Sequence, residues 1–420
     1  MARKAVTDEV LPTEDLFTLM AKEAGKQFKN NPGAILDDYT SGQPTIWYST
    51  GIPTADVALA GGLAGGMASM FGGTPNAGKS TLLYSAIAEA QRIHPVGFHD
   101  IHVIADPENS TTAAIAHMRQ LGVDTSKVYI IAPENGVPLF AEDIFARLEW
   151  FFRQAQKGGP LDGRLGIVGL DSIGALVSKT AHEQSWDKAG APGGNAKIIT
   201  RFVDNVVGSG LLFNSKAHLL FLNQVRDAIG DMWTEFTFPG GKSLEHACVQ
   251  IMAVTRTLGK DFLNPNYNSK LDNQLEAQYI GQKIKFKQEK SKVGGIKGAT
   301  ASVNFYYGQG LDILQNMVDL GRMYGVVDGT TWLSFVDPIT GEVIAKAQGG
   351  NAFKKLLADD EQLYKKFEYV LSYTMRNLEV QSVVEDWPAI HMELFGEEPP
   401  TAQEEAEEET VTEEAEEAAE

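Results

Sequence analysis

The sequence predicts an α/β protein on a mostly parallel central sheet, and two observations predict it. Short apolar runs alternate with helical patterns along most of the 420 residues, and one run-to-helix junction carries Gly73-Thr74-Pro75-Asn76-Ala77-Gly78-Lys79-Ser80-Thr81. Continuously apolar strands alternating with helices belong to parallel sheets covered on both faces. The expected strands are Met67 to Phe71, His102 to Ala105, Val128 to Ala132, Leu165 to Leu170 and His218 to Asn223. Helical patterns follow at 78–93, 111–121, 140–154 and, less regularly, past residue 175. Beyond Cys248 the runs at 248–255, 281–288 and 300–307 lack crossover helices, so antiparallel strands are expected there. Leu311 to Gly321, Asn351 to Ala358 and Glu361 to Leu378 read as helices around a Trp332 to Val336 strand and a turn at Asp337 to Gly341. No internal repeat or heptad series is present.

The expected division is an N-terminal oligomerisation helix and linker at 1–45, a core at 46–310, a smaller α/β lobe at 311–396 and an acidic, disordered tail at 397–420. Thr13 caps a helix with Leu16, Phe17, Leu19 and Met20 on its apolar side, followed by a Gly/Pro-bearing stretch to Thr45. Such a helix packs either on its own domain or on a neighbour.

Composition narrows the classes. A chain with a single cysteine, Cys248, has no disulfide scaffold and no Cys-based metal cluster, which points to a reducing compartment. The formal charge of −19 argues at first against nucleic acid, yet twelve glutamates in 397–420 account for most of it and leave −7 for the rest. No run of 18 apolar residues spans a bilayer and no apolar signal segment follows Met1. A cytoplasmic protein with no membrane partner is expected.

Gly73 to Thr81 satisfies G-x-x-x-x-G-K-[ST] between an apolar run and a helical pattern. Glycines let backbone N–H groups turn toward a phosphate, and the helix N-terminus favours the anion. Lys79 is expected at the β- and γ-phosphates of ATP and Ser80 on Mg²⁺. Asp171 ends an apolar strand and is the carboxylate expected to position Mg²⁺ through water, with Ser172 beside it as a hydrogen-bonding group. Asp106-Pro107-Glu108-Asn109 places two carboxylates at the same sheet end, and Glu108 is the better general base because Asp106 is nearer the strand and its backbone. Gln224, at the end of a further strand, is a candidate γ-phosphate sensor, although a strand-end Gln also suits a plain surface.

Two long Gly/Pro-rich segments follow the phosphate-side strands. Residues 180–200 contain Trp186, Lys188 and Lys197, and residues 226–243 contain Arg226, Met232, Trp233, Phe236, Phe238 and Lys242. The aromatic and sulfur side chains have no evident core duty; they suit bases of single-stranded nucleic acid, with the cations on its backbone, or a protein interface. Lys283, Lys285, Lys287, Lys290, Lys292 and Lys297 form the basic cluster. The first three share a strand face and also fit an edge strand defended by lysine, whereas Lys290 and Lys292 suit a phosphate bound by a neighbour.

The chain closely resembles the RecA family of DNA strand-exchange ATPases, and among these looks most like the bacteriophage members of the UvsX type. Beyond the phosphate loop the resemblance rests on Thr50-Gly51-Ile52-Pro53-Thr54, Asp106-Pro107-Glu108, Leu121-Gly122-Val123-Asp124, Leu170-Asp171-Ser172, Phe221 to Arg226, Gly240-Gly241-Lys242, Lys290-Ser291-Lys292, Tyr307-Gly308-Gln309-Gly310 and Val318-Asp319-Leu320-Gly321. It implies a RecA-like P-loop NTPase fold, Glu108 as the water-activating glutamate, Gln224 as the γ-phosphate relay and Tyr307 as an adenine neighbour. It also implies two DNA-binding loops after Ser172 and Gln224, Lys290 and Lys292 reaching ATP on the adjacent subunit, and an N-terminal helix packed on the next protomer. The segment after Glu108 is longer than in the bacterial proteins and has Ile115, not an aromatic, seven residues on.

The expected activity is a DNA-dependent ATPase that forms helical homo-oligomers on single-stranded DNA and pairs it with homologous double-stranded DNA. A recombination mediator and a single-stranded DNA-binding protein are the expected protein partners. A ring-forming helicase or motor, a nucleotide-regulated single-strand binding protein and a small-molecule kinase are the rivals.

Overall fold

The computed structural model describes residues 26–27, 46–94, 96–111, 113–183, 194–225, 238–264, 279–337, 341–377 and 392. The chain divides into Met1–Thr45 and Ile46–Glu420. In the first unit only Lys26 and Gln27 are described, as helix; the helix expected from Thr13 and the acidic tail lie outside the described residues.

The strands of the second unit are β1 (Trp47–Tyr48), β2 (Leu63–Ala64), β3 (Ala68–Gly73), β4 (Ile101–Ala105), β5 (Val128–Ile131), β6 (Leu165–Asp171), β7 (His218–Gln224), β8 (Gln250–Thr257), β9 (Gly281–Ser291), β10 (Thr300–Tyr306), β11 (Gly310–Leu311), β12 (Val327–Asp328), β13 (Trp332–Val336) and β14 (Val343–Gln348). Nine form one sheet in the order β11-β10-β9-β8-β3-β7-β6-β4-β5. The six from β8 to β5 run parallel and β9, β10 and β11 antiparallel. β3 and β6 are buried along their whole length, which is why they read as unbroken apolar runs.

Each face of this sheet has its own core. On one, Phe145, Leu148 and Phe152 of the helix Ala141–Gln154 pack with Ile199 and Phe202 of the helix Gly194–Val203 and with Leu244. On the other, Leu82, Leu83 and Ile87 of the helix Lys79–Ile93 pack with Ile284, Phe286 and Phe305. A third cluster, around Phe335, Phe353 and Phe367, joins the small sheet β12-β13-β14 to the helices Ile313–Met323, Gly350–Asp359 and Glu361–Asn377. Asn316 ties it to the large sheet, donating from Nδ2 to Thr54 Oγ1 (2.8 Å) and Ser302 O (2.8 Å). Among the described residues no helix is long and apolar enough to cross a membrane.

Three expectations are corrected. β9 is no edge strand, because β8 and β10 bond it on both sides, so Lys283, Lys285 and Lys287 lie on an open face of the sheet interior. The helix expected over 111–121 is confined to Ile115–Gln120, since Asp106 draws Thr111 N into a turn at 2.6 Å. The two long segments are partly helical: Lys197 lies within Gly194–Val203 and Lys242 opens Lys242–Ala247.

Candidate nucleotide site and nucleic-acid face

β3 delivers Gly73 to the carboxyl end of the sheet and the helix Lys79–Ile93 leaves from it. Gly78 turns the chain into that helix at φ +99°, a left-handed conformation that glycine adopts without strain. Lys79 Nζ donates to Gly73 O (3.0 Å) and Thr74 O (2.8 Å), so the ammonium lies across the loop it must serve. Its pKa is lowered, chiefly by burial, against the opposing charges of Asp171 and Glu108. Ser80 and Thr81 sit in the first turn, where free backbone N–H groups favour an anion. Thr74, Pro75 and Asn76 are exposed, and Ala77 is buried beneath them.

Ser80 Oγ donates to Asp171 Oδ2 at 2.5 Å. Burial, then the nearby Glu108 and Asp106, push the Asp171 pKa up to about 6, with the Ser80 bond and Lys79 opposing. A hydroxyl and a carboxylate, both hard oxygen donors, fit Mg²⁺ completed by phosphate and water oxygens. Among the described residues no group of three or more His, Cys, Asp or Glu is placed to hold a metal ion.

Glu108 is exposed at the end of β4, and Ser172 Oγ donates to its Oε1 at 2.7 Å. Asp106 is buried and occupied by its own turn, accepting Glu108 N on Oδ1 (3.0 Å) and Thr111 N on Oδ2 (2.6 Å). Gln224 ends β7 in register with Gly73, and Val225 N bonds Gly73 O at 3.2 Å, so this glutamine stands beside the phosphate loop. The structure thus gathers Lys79, Ser80, Glu108, Asp171 and Gln224 at one end of the sheet. Tyr307 is half-exposed, and its hydroxyl lies 3.5 Å from Gln282 Oε1, whose amide donates to Asn76 O at 3.2 Å.

Lys290 and Lys292 are not in this group. β9 runs antiparallel to β8 and Lys290 pairs with Ile251, so both lysines sit at the opposite end of the sheet from Gly73. There Lys290 Nζ bonds Glu245 O and Lys292 Nζ bonds His246 O (3.1 Å), the last carbonyls of the helix Lys242–Ala247, where cations are favoured.

Of the candidate nucleic-acid residues, Trp186, Lys188, Arg226, Met232, Trp233 and Phe236 lie outside the described residues. Lys197 and Lys242 are exposed and belong together in space, because Gly241, next to Lys242, lies against Ala196. Phe238 is a correction: its ring packs on the first core, so close over Gly72 that a Cβ there would lie 2.1 Å from Cε1. It therefore has a core duty and is withdrawn as a base-stacking candidate. Asn223 is buried and donates from Nδ2 to Pro239 O at 2.7 Å, tying the end of β7 to Pro239. The pair Asn223-Gln224 after an apolar run was its only sequence signal.

The RecA N-terminal domain family matches residues 19–312. The chain belongs to the RecA family. Its RecA-like α/β fold, with a central sheet and a phosphate loop, is the one described above. Similar proteins include Protein RecA of Chlorobium limicola, 28% identical over 345 residues that cover 81% of this chain and 86% of that protein. Protein RecA of Chloroherpeton thalassium is 28% identical over 377 residues, 88% of this chain and 92% of that protein. Protein RecA of Thermotoga maritima is 27% identical over 369 residues, 85% of this chain and 92% of that protein. General recombinase and ATPase chemistry accords with this membership of the RecA family.

Proposed function

We propose that this RecA-family protein is a DNA-dependent ATPase that assembles as a helical filament on single-stranded DNA and catalyses homologous pairing and strand exchange. The observation that carries the proposal is the separation of the phosphate loop and the Lys290/Lys292 pair to opposite ends of one sheet. One protomer's lysines cannot serve its own nucleotide, but a head-to-tail neighbour's can. Lys79 and the first-turn N–H groups bind the phosphates, Ser80 and Asp171 would hold Mg²⁺, and Glu108, steered by Ser172, takes the proton of the attacking water. Mg²⁺ supplies neutralisation of phosphate charge when bound. Gln224 relays loss of the γ-phosphate to the segment that follows it.

Self-assembly is also supported by an apolar groove of about 1190 Å³ between edge strand β5 and the helix Ala141–Gln154, lined by Tyr129, Val137, Leu139, Trp150 and Phe151. The apolar side expected for residues 13–24 of a second copy suits it. Lys197 and Lys242, with the undescribed loop residues, are taken as DNA contacts; the 46–310 core, 311–396 lobe and 397–420 tail belong to the same proposal. The narrower likeness to bacteriophage recombinases rests on the sequence motifs alone, as do the mediator, the single-strand binding partner and the cytoplasmic location.

The test is subunit mixing. The Lys290→Ala, Lys292→Ala double variant and the Lys79→Ala variant should each hydrolyse ATP poorly with DNA, yet recover activity when mixed, at junctions pairing an intact loop with intact lysines. No gain over the sum at any ratio, with mixed filaments demonstrated, would sink the trans role.

A further inference from the structure

His117 lies outside the constellation above but touches the helix that starts it. Its Nε2 is 3.2 Å from Thr81 Oγ1, in the first turn after the phosphate loop. Its ring meets Tyr84 edge-on at 6.1 Å and Phe305 at 5.7 Å. It thus joins the helix Ile115–Gln120 to the phosphate-binding helix and to β10. The chain between Asp106 and this point carries Glu108, and along it Glu108, Asn109, Ser110, Ala113, Ile115 and Ala116 are exposed. Asp106 and Thr111 anchor one end of the segment, and His117 with buried Met118 the other.

We propose that His117 is a positioning residue for ATP hydrolysis, its Nε2 accepting the Thr81 hydroxyl and thereby seating the Glu108-bearing segment on the phosphate-binding helix. The proposal rests on the hydrolytic reading of Glu108 given above. Gln120 bonds the same ring through its side chain, and a neutral imidazole offers one donor and one acceptor nitrogen, so with the proton on Nδ1 the Nε2 atom accepts. Burial holds the His117 pKa below the usual histidine range, so the accepting form prevails near neutrality. The groups facing it do not compete: Tyr84 is held neutral by burial, its pKa raised to about 12, Thr81 and Phe305 are uncharged, and Arg119 on the same helix is turned to Thr125. Tyr307 stands beyond Phe305, 5.7 Å from it. Protonation of Nε2 replaces an acceptor by a donor and breaks the link, which places an acid limb on hydrolysis.

Two variants separate the ring from its acceptor. His117→Phe keeps the aromatic packing and removes the bond; His117→Gln offers a carbonyl oxygen in its place. His117→Phe should lower kcat for DNA-stimulated hydrolysis about tenfold, within what a misplaced catalytic group costs, with ATP affinity kept within about threefold. Amide exchange over residues 107–116 should quicken in the same variant. His117→Gln should restore most of the rate and the slow exchange while flattening the acid limb. Unchanged rate and exchange in His117→Phe overturn the proposal, as does a His117→Gln variant no better than His117→Phe, because the ring would then matter and not the acceptor. A wild-type protein with no ATPase activity would overturn the proposed function instead, and the exchange comparison would still decide the role of His117.

Discussion

Glu108→Gln isolates the proposed base with little collateral change. The side chain is exposed, and its one described partner, Ser172 Oγ at 2.7 Å, can donate equally to an amide oxygen. Folding stability should therefore move by no more than about 0.5 kcal/mol, the range of exposed substitutions away from structural features. Nucleotide affinity should hold as well, because Lys79, the first-turn N–H groups and the Ser80–Asp171 pair are untouched. What the amide cannot do is accept a proton from water. A positioned general base contributes roughly 10²- to 10⁴-fold, so steady-state phosphate release with single-stranded DNA should fall by at least about 10²-fold. Fluorescent-nucleotide titration and filament imaging, run beside the phosphate assay, should give wild-type results. Turnover within about threefold of wild type would refute the reasoning and move the base elsewhere. Asp106 would be a poor substitute, since both its oxygens already accept backbone N–H groups.

Deleting residues 1–30 should leave a monomer that binds ATP but polymerises poorly, because an arm buried on a neighbour supplies interface and not core; undiminished ATP-dependent assembly in sedimentation velocity would remove the arm from the scheme. Truncation after Gly396 changes the formal charge from −19 to −7 and should raise affinity for double-stranded DNA more than for single-stranded DNA, the gain shrinking with salt; equal anisotropy titrations at low salt would leave the tail without a competing role. Acid should destabilise the protein through His102 and His218, whose pKa values burial lowers to about 3 and about 4: the unfolded chain takes up protons below its ordinary histidine pKa first, so their stabilisation is full above that value and is lost as pH falls toward 4. Asp171, raised to about 6, opposes this, so Asp171→Asn should steepen the loss between pH 6 and 4 by up to about 1.4 kcal/mol per pH unit in denaturant titrations, and parallel slopes would count against its raised pKa.

The parallel half of the sheet was legible because β3, β4, β6 and β7 are almost wholly buried, and two buried faces leave no polar alternation to confuse with anything else. β14 was not legible: no residue of Val343–Gln348 is buried, and its exposed positions Val343, Lys346 and Gln348 follow no regular period. β1 and β2, two residues each, are too short to show any period, as is the helix Pro53–Ala58. At the site, strand ends announced Asp171, Glu108 and Gln224, whereas the partners of Lys290 and Lys292 depend on an antiparallel register between β8 and β9 that no local pattern encodes. His117 illustrates the same limit. Spacing from Glu108 singles out Ile115, but a turn at Asp106 resets the count, and it is the phase of the short helix that turns His117 toward Thr81.

The opposite placement of phosphate loop and lysine pair gives every protomer a front and a back. With the proposed trans contact, a row of n copies would contain n − 1 complete junctions, and one terminal loop would face open solvent. Hydrolysis per subunit should then climb with row length as (n − 1)/n, so dilution to dimers halves it and only full dissociation abolishes it. The exposed end is also the single place where a capping partner or an incoming subunit meets a nucleotide with no lysines across from it, which makes growth and turnover compete for the same surface.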